Sequence, residues 1–141
     1  MIPTYVVDAS ALLRFLANEP GATEVEKLLK QASAGDVQLL MSAVNWAEVL
    51  FVVLKAYGLS AMTTIESRML SLPIQMISLD AVNAKDAAEF RFNNKIPFAD
   101  SFAGALAVSN RATLITADFD FHGLTSPKVH LLPTKAKKRS P

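Results

Sequence analysis

Cysteine is absent from the 141-residue chain, which excludes disulfide bonds, thiolate nucleophiles and cysteine-bound zinc or iron–sulfur centres. No apolar run reaches the roughly 18 residues that a membrane-spanning helix needs. The first residues lack the basic start and the small-residue cleavage site of a secretory signal. Internal repeats, low-complexity tracts and Pro/Gly-rich linkers are also missing from residues 1–132. We therefore expect a single cytoplasmic domain that does not enter a membrane.

Charge is sparse and unevenly distributed. The composition is 51% hydrophobic and 19% charged, which is enough apolar material to cover both faces of a sheet. Four of the 14 basic residues fall within residues 134–141, so the net charge of +1 conceals an acidic body. We expect a domain over residues 1–133 followed by a basic tail over residues 134–141. That tail is either a solvated terminus or a source of salt-sensitive attraction to a polyanion.

Short apolar runs alternate with amphipathic stretches along the whole chain. The runs predict strands at Ile2–Val7, Val37–Met41, Ile74–Ser78, Thr113–Thr116 and Val129–Leu132. The stretches predict helices at Ala9–Ala17, Thr23–Ala32, Ala43–Tyr57 and Ser60–Leu70, from an Asp80 cap to about Phe90, and from Pro97 in the first turn to Asn110. Strands separated by whole helices pair in parallel, so we predict a three-layer α/β/α sandwich with a central parallel sheet of four to five strands.

Four acids occupy positions where such a fold builds its sites. Asp8 directly follows the first strand and Asp118 follows the Thr113–Thr116 strand, so both lie at carboxyl ends of strands. Glu48 lies one to two turns into a helix, and Asp100 lies in the first turns of another. None of the four has a Lys or Arg within three positions. Crowded carboxylates without basic partners favour a hard divalent cation such as Mg²⁺ or Mn²⁺.

Each acid also has an ordinary structural interpretation. Asp8 can cap its helix, and Asp100 can be a favourable charge near a helix N-terminus. Glu48 can lie on a solvated helix face. Asp118 and Asp120 can be turn residues. The ordered combination of the four acids is more informative than any one of them.

The sequence resembles the PIN-domain nucleases, and among them the toxin half of VapBC-type toxin–antitoxin pairs. The similarity spans roughly residues 4 to 132 in the family's order and spacing. The residues that carry it are Val7-Asp8-Ala9-Ser10-Ala11-Leu12, Asn18-Glu19-Pro20-Gly21, Asn45-Trp46-Ala47-Glu48-Val49, Phe98-Ala99-Asp100-Ser101-Phe102-Ala103 and Thr116-Ala117-Asp118.

The resemblance implies hydrolysis of RNA that depends on Mg²⁺ or Mn²⁺, in a metal centre formed by the four acids. It also implies a homodimer, and silencing by a VapB-type antitoxin whose C-terminal segment lies across the active site. The positions that match supporting polar residues of the family are Ser10, Asn45 and Thr116, with Asp120 as a more variable addition.

RNA must also be held near the acids. Arg14, Arg91 and Lys95 are either phosphate contacts or solvated surface charges. His122 and His130 are interpreted as surface or packing residues, and Trp46 as a packing residue. The segment Val44–Leu54 has more apolar residues than one buried face needs, which favours a dimer or antitoxin interface.

Two other functional classes fit a similar sandwich. The first is a phosphotransfer domain, either a dehalogenase-type phosphatase or a receiver. Such phosphatases place a second Asp two residues after the first, where this chain has Ser10, and the paired acids of receivers are missing. The second is a non-catalytic PIN-like module that binds RNA or protein, which retention of all four acids argues against.

Overall fold

The structure, a computed structural model, describes residues 1–134, so the predicted basic tail lies outside the described residues except for Thr134. The strands are β1 (Thr4–Val7), β2 (Gln38–Ser42), β3 (Gln75–Ile77), β4 (Thr113–Thr116) and β5 (Val129–Leu131). The helices are α1 (Ala9–Leu16), α2 (Ala22–Ser33), α3 (Ala43–Tyr57), α4 (Leu59–Ser71), α5 (Ala81–Asn94) and α6 (Phe98–Ser109), with a 3₁₀ turn at Phe119–Phe121. Within residues 1–134, no helix combines the length and apolarity needed to cross a membrane.

The five strands form one sheet in the order β3-β2-β1-β4-β5, and all neighbours pair in parallel. The chain starts at the central strand β1, moves outward to β2 and β3, and then returns to β4 on the other side of β1. The strand order therefore reverses between β1 and β4. Ligands of open parallel sheets bind beyond the carboxyl ends of the strands at such a switch point.

Alternating side chains of the strands point into two hydrophobic layers, one on each face of the sheet. This arrangement confirms the predicted three-layer α/β/α sandwich. Val7 and Ile115 pack with residues of α1, α2, α3 and α4 on one face of the sheet. Val6 and Leu114 pack with α5 and α6 on the other face. These four side chains are at most 1% exposed, as expected for strands that are covered on both sides.

The predicted caps of three helices are confirmed. Asp8, Ser42 and Asp80 each accept a hydrogen bond from a backbone N–H in the first turn of the helix that follows. Two helix limits are corrected here, and the other predicted helix ends agree with the structure within one residue. α5 continues beyond Phe90 to Asn94, because buried Phe90 anchors it and the Asn94 amide donates to the Phe90 carbonyl at 2.9 Å. Pro97 lies one position before α6, as its N-cap, because its ψ of 149° is extended.

Close packing of α5 on α6 depends on Gly104. A methyl group at this position would overlap the ring of Phe90, which is 8% exposed and has little room to move.

We expect Gly104→Ala to lower the free energy of unfolding by about 1 kcal/mol, because overpacking of about 1–3 kcal/mol outweighs a gain of about 1 kcal/mol in helix propensity. Urea denaturation measures this change. Adding Phe90→Leu should make Gly104→Ala less costly, since the smaller side chain frees the space. An equal cost of Gly104→Ala in both backgrounds would contradict the packing explanation.

Candidate active site

Asp8 lies at the switch point, between the end of β1 and the start of α1. Its Oδ1 accepts the Ala11 N–H at 2.9 Å and the Ser10 hydroxyl at 2.7 Å, and its Oδ2 accepts the Thr116 hydroxyl at 2.5 Å. The same two hydroxyls accept backbone N–H groups that follow β4, Ala117 on Ser10 and Asp118 on Thr116, both at 2.9 Å. Ser10 and Thr116 therefore connect Asp8 to the segment that carries Asp118.

Burial dominates the electrostatics of Asp8, which is 2% exposed. Desolvation raises the pKa of its carboxyl to about 6, although the hydrogen bonds from Thr116, Ala11 and Ser10 oppose the rise. The charge of Asp118 makes a smaller contribution to this rise. Asp8 is thus a helix cap, as its ordinary interpretation predicts, and also a member of an interacting group of acids.

Asp118 and Asp120 are positioned by the 3₁₀ turn after β4. Asp118 Oδ1 accepts the Asp120 N–H at 2.9 Å and caps this turn, while fully buried Phe121 fixes the turn to the core. Asp100, in the first turn of α6, faces the same point. Asp100, Asp118 and Asp120 each offer one carboxylate oxygen, and these oxygens all lie within 4.8 Å of one another.

Asp100 carries the most perturbed carboxyl of this group. Desolvation is the largest cause that raises its pKa to about 8, followed by interaction with Asp118 and by the charges of Asp8 and Glu48. Its Oδ2 is buried and has no hydrogen-bond partner among the described residues. A buried carboxylate oxygen without a donor requires either a proton or a cation.

Glu48 is held towards Asp100 by Asn45. The Asn45 side-chain amide donates to Glu48 Oε1 at 2.6 Å and to the Ala99 carbonyl at 3.2 Å, so it ties the start of α3 to the start of α6. Asn45 is 1% exposed, and its Oδ1 also has no partner within the described part of the chain. The structure therefore brings Asp8, Glu48 and Asp118 into electrostatic range of Asp100, with Ser10, Thr116 and Asn45 hydrogen-bonded to Asp8 or Glu48.

The donor set fits a divalent cation. Carboxylate oxygens from two segments, the start of α6 and the turn after β4, converge without an opposing Lys or Arg in ion-pair range among residues 1–134, and Asp100 offers an unpartnered oxygen. Oxygen-only coordination of this kind suits Mg²⁺ and Mn²⁺. Asp120, ranked below the four main acids in the sequence, lies in the tightest cluster because the 3₁₀ turn directs it beside Asp118. The short spacing of Asp118 and Asp120 was the only sequence signal for this.

Comparison with known proteins agrees with this geometry. The family model of the PIN domain matches residues 5–125. The chain belongs to the PIN domain family. A comparison with curated proteins gives no match.

The PIN fold of the chain is shared with several solved structures. The match to VapBC2 from Rickettsia felis, bound to a promoter DNA fragment, has a TM-score of 0.72 and 17% identity over 92% of this chain and 99% of that chain. VapC20 from Mycobacterium tuberculosis is a toxin that cleaves the sarcin–ricin loop. The match to it has a TM-score of 0.68 and 15% identity, and it covers 92% of this chain and 99% of that chain. The match to FitAB bound to a DNA fragment has a TM-score of 0.64 and 22% identity, and it covers 90% of this chain and 94% of that chain.

The basic residues of this PIN domain differ in their surroundings. The Arg14 guanidinium donates to the carbonyls of Pro20 and Pro133, both at 2.8 Å, and so holds two loops together. Arg91 donates to the Ile96 carbonyl and lies over the Phe98 ring, while exposed Lys95 ends α5. RNA binding by all three remains a prediction. Trp46 is 7% exposed in the core, which confirms its interpretation as a packing residue.

The raised pKa values of Asp8 and Asp100 predict how stability depends on pH in the metal-free PIN domain. A carboxyl whose pKa is higher folded than unfolded stabilises the fold most below the unfolded value, near 4, and this contribution is lost as the pH rises through the folded value. The loss therefore extends to about 6 for Asp8 and about 8 for Asp100.

We expect the urea midpoint in EDTA to fall between about pH 5 and about pH 8.5. Asp100→Asn should flatten this slope, because the amide does not titrate. A midpoint that rises over this range, or a slope that Asp100→Asn leaves unchanged, would contradict the burial of Asp100.

Proposed function

We propose that this PIN domain is a metal-dependent endoribonuclease and the toxin of a type II toxin–antitoxin pair in the cytoplasm. The observation that carries the proposal is the convergence of carboxylate oxygens from Asp100, Asp118 and Asp120 within 4.8 Å of one another. Asp8 and Glu48 add negative charge to the same point. An acidic site of this composition is suited to phosphodiester hydrolysis with a divalent cation.

The protein side of the mechanism follows from the contacts. Asp100, Asp118 and Asp120 would hold the cation, with the charges of Asp8 and Glu48 acting on Asp100. A bound Mg²⁺ or Mn²⁺ supplies Lewis-acid chemistry for hydrolysis of a phosphodiester by water. Burial and Asp118 raise the pKa of Asp100 to about 8, so a cation held there would compete with a proton for this carboxylate. Thr116 and Ser10 fix Asp8, and Asn45 fixes Glu48.

A cleft beside the acids supports an antitoxin partner. It encloses about 780 Å³ between α1, α3 and α4, and at Ser10 and Ala117 it reaches the segments that carry Asp8 and Asp118. Its lining is mostly apolar and includes Leu13, Leu16, Val52, Ala56, Tyr57 and Ile65. We propose that an apolar helix of a VapB-type antitoxin fills this cleft, so that the segment following the helix covers the acids.

Exposed apolar side chains support the proposed homodimer. Phe51 and Leu54 on α3 are 61% and 39% exposed, and neither lines the cleft. Leu59, at the start of α4, is 66% exposed. A second copy packed over Phe51 and Leu54 would bury these side chains and leave the cleft free for an antitoxin.

Cleavage of RNA with and without metal tests the proposed activity. Purified protein is stripped with EDTA, dialysed, and incubated with total bacterial RNA and either Mg²⁺, Mn²⁺ or fresh EDTA. We expect discrete new RNA ends with either cation and none with EDTA, because the acids alone repel phosphate. Turnover of p-nitrophenyl phosphate without RNA cleavage would support a phosphatase instead. RNA binding without cleavage under any metal would support a non-catalytic module.

A further inference from the structure

The chain leaves the folded domain beside the acids. β5 pairs in parallel with β4, and the Leu132 N–H, directly after β5, donates to the Thr116 carbonyl at 2.7 Å. The Thr116 hydroxyl in turn donates to Asp8 and accepts the Asp118 N–H. Because parallel strands all end at one edge of a sheet, the residues that follow Leu132 start from the edge that carries the acids.

Two contacts fix this exit point. Leu132 is 2% exposed, and a Cβ atom at Gly21 would lie 2.9 Å from the Leu132 Cβ, so the loop before α2 packs directly against it. Arg14 on α1 donates to the Pro133 carbonyl at 2.8 Å. Pro133 and Thr134 are exposed. The chain therefore passes from the core to the solvent at a position that α1 and the loop before α2 determine.

The domain and the residues beyond it have opposite charge. Residues 1–133 hold ten of the 14 basic residues and all 13 acidic residues, a net charge of −3. The basic tail holds the other four basic residues and no acid: Lys135, Lys137, Lys138 and Arg139. An acidic domain repels the phosphates of RNA. Four positive charges that start at the edge of the site would offset this repulsion where a substrate has to approach.

The basic residues of the tail can reach the surroundings of the acids. Arg139 lies six residues beyond Pro133, and a chain extends by at most about 3.6 Å per residue, so it stays within roughly 22 Å of the exit point. Lys135, two residues beyond Pro133, stays within about 7 Å. Lys and Arg side chains bind phosphate through charge-assisted hydrogen bonds. Four of them within this radius match a short run of phosphates rather than a single anion.

We propose that Lys135, Lys137, Lys138 and Arg139 bind consecutive phosphates of the RNA next to the scissile bond, from the exit point that Arg14 holds. This inference rests on the proposed ribonuclease function and adds how the substrate is held. Contacts to phosphates strengthen binding without selecting a sequence. They act on binding and not on hydrolysis, so their loss raises KM for RNA and leaves kcat unchanged.

Three variants of the full chain test the proposal. The tail-Gln variant replaces the four basic residues of the tail with Gln, and the tail-Arg variant replaces only its three lysines with Arg. The control-Gln variant removes four positive charges elsewhere. Its sites are exposed and lie on α2 or just before β4 and β5, towards the amino ends of the strands: Lys27, Lys30, Arg111 and Lys128.

The salt dependence of RNA binding is the main measurement. Fluorescence anisotropy of a fluorescein-labelled ribouridylate 12-mer is recorded with Ca²⁺ in place of Mg²⁺, and RNA integrity is checked on a gel. Each neutralised phosphate of a single strand contributes about 0.7 to the slope of log Kd against log salt concentration. We therefore expect the tail-Gln variant to lower this slope by about 3, so that its loss of affinity shrinks about 50-fold between about 50 and 200 mM KCl. The other two variants should keep the wild-type slope.

A cross-link tests where on the RNA the tail binds. The chain has no cysteine, so Lys137→Cys provides a single attachment point for the photo-cross-linker azidophenacyl bromide. Cross-links to total bacterial RNA are formed with Ca²⁺ and mapped by primer extension. We expect them within a few nucleotides of the ends that Mg²⁺ produces. Lys30→Cys, in the last turn of α2, should give no cross-links at these positions.

An unchanged salt slope in the tail-Gln variant would overturn the inference. An equal change in the control-Gln variant would also overturn it, because the attraction would then be general. Faster RNA cleavage by the tail-Gln variant at unaltered RNA affinity would show that the tail obstructs the acids. A loss of antitoxin affinity alone would assign the tail to the protein partner. Either result would replace the proposed phosphate contacts.

Failure of the proposed function has a different signature. RNA that binds with a tail-dependent salt slope but is never cleaved with Mg²⁺ or Mn²⁺ would refute the nuclease and leave the phosphate-binding tail intact. Metal-dependent cleavage with the same KM and salt slope in wild type and the tail-Gln variant would refute the tail and leave the nuclease intact.

Discussion

Asp100→Asn should reduce RNA cleavage by at least about 10²-fold while the protein remains folded. The cation stabilises developing charge by several kcal/mol, and loss of one charged oxygen from the tightest part of the site removes much of that stabilisation. Asp100 is also the acid that the fold tolerates least in its charged form, since burial and Asp118 raise its pKa to about 8. The measurement is the single-turnover rate of RNA cleavage at a saturating Mn²⁺ concentration.

Asp36→Asn is the matched control, because Asp36 is an exposed acid in the loop before β2. It should cleave at the wild-type rate. In metal-free buffer at about pH 8, Asp100→Asn should be at least as stable as wild type, because it removes an unfavourable buried charge. Wild-type cleavage by Asp100→Asn would reject the assigned site. If Asp100→Asn loses cleavage because it unfolds, the same cleavage rate is measured for Asp118→Asn, which should show a similar loss while folded.

Ala56→Arg should leave the toxicity of the protein intact but prevent its neutralisation by the antitoxin. Expression of the wild-type protein is expected to arrest bacterial growth, and co-expression of the product of an adjacent small reading frame is expected to restore it. Ala56 is an exposed residue of α3 that lines the apolar cleft, so an arginine here is tolerated by the fold but places a charge in the antitoxin interface. We expect the antitoxin affinity to fall by about 100-fold, with growth arrest that is no longer relieved.

Colony counts with and without the second plasmid measure this effect. Ala88→Arg is the matched control, since Ala88 is an exposed alanine of α5 in the opposite layer, and its growth arrest should still be relieved. If the antitoxin fully relieves the growth arrest caused by Ala56→Arg, the partner does not bind in the cleft. Absence of any growth arrest by the wild-type protein would contradict the toxin role itself.

The sequence predicted the fold well because the spacing of apolar residues and the helix caps are both determined by residues that are close together in the chain. Buried strands such as Thr113–Thr116 and caps such as Ser42 need only a few neighbouring residues to be recognised. The predicted end of α5 near Phe90 was wrong, because the continuation to Asn94 depends on the burial of Phe90 against α6, which is a tertiary contact.

The position of Asp8 and Asp118 at strand ends follows from the sequence, since parallel strands bring their carboxyl ends to one edge. The prominence of Asp120 does not follow, because it depends on a 3₁₀ turn that buried Phe121 fixes in place. The structural use of Arg14 was equally hidden, since its partner Pro133 lies 119 residues away along the chain. Contacts between residues so far apart in the chain form only in the folded protein, so a local sequence pattern does not predict them.

Anomalous diffraction from a crystal grown with Mn²⁺ tests the central claim most directly. The account predicts a manganese peak coordinated by oxygens of Asp100 and Asp118, with Asp120 in reach and with Asp8 still bonded to Thr116. A structure in which these carboxylates point apart, with no manganese between them at millimolar Mn²⁺, would contradict it.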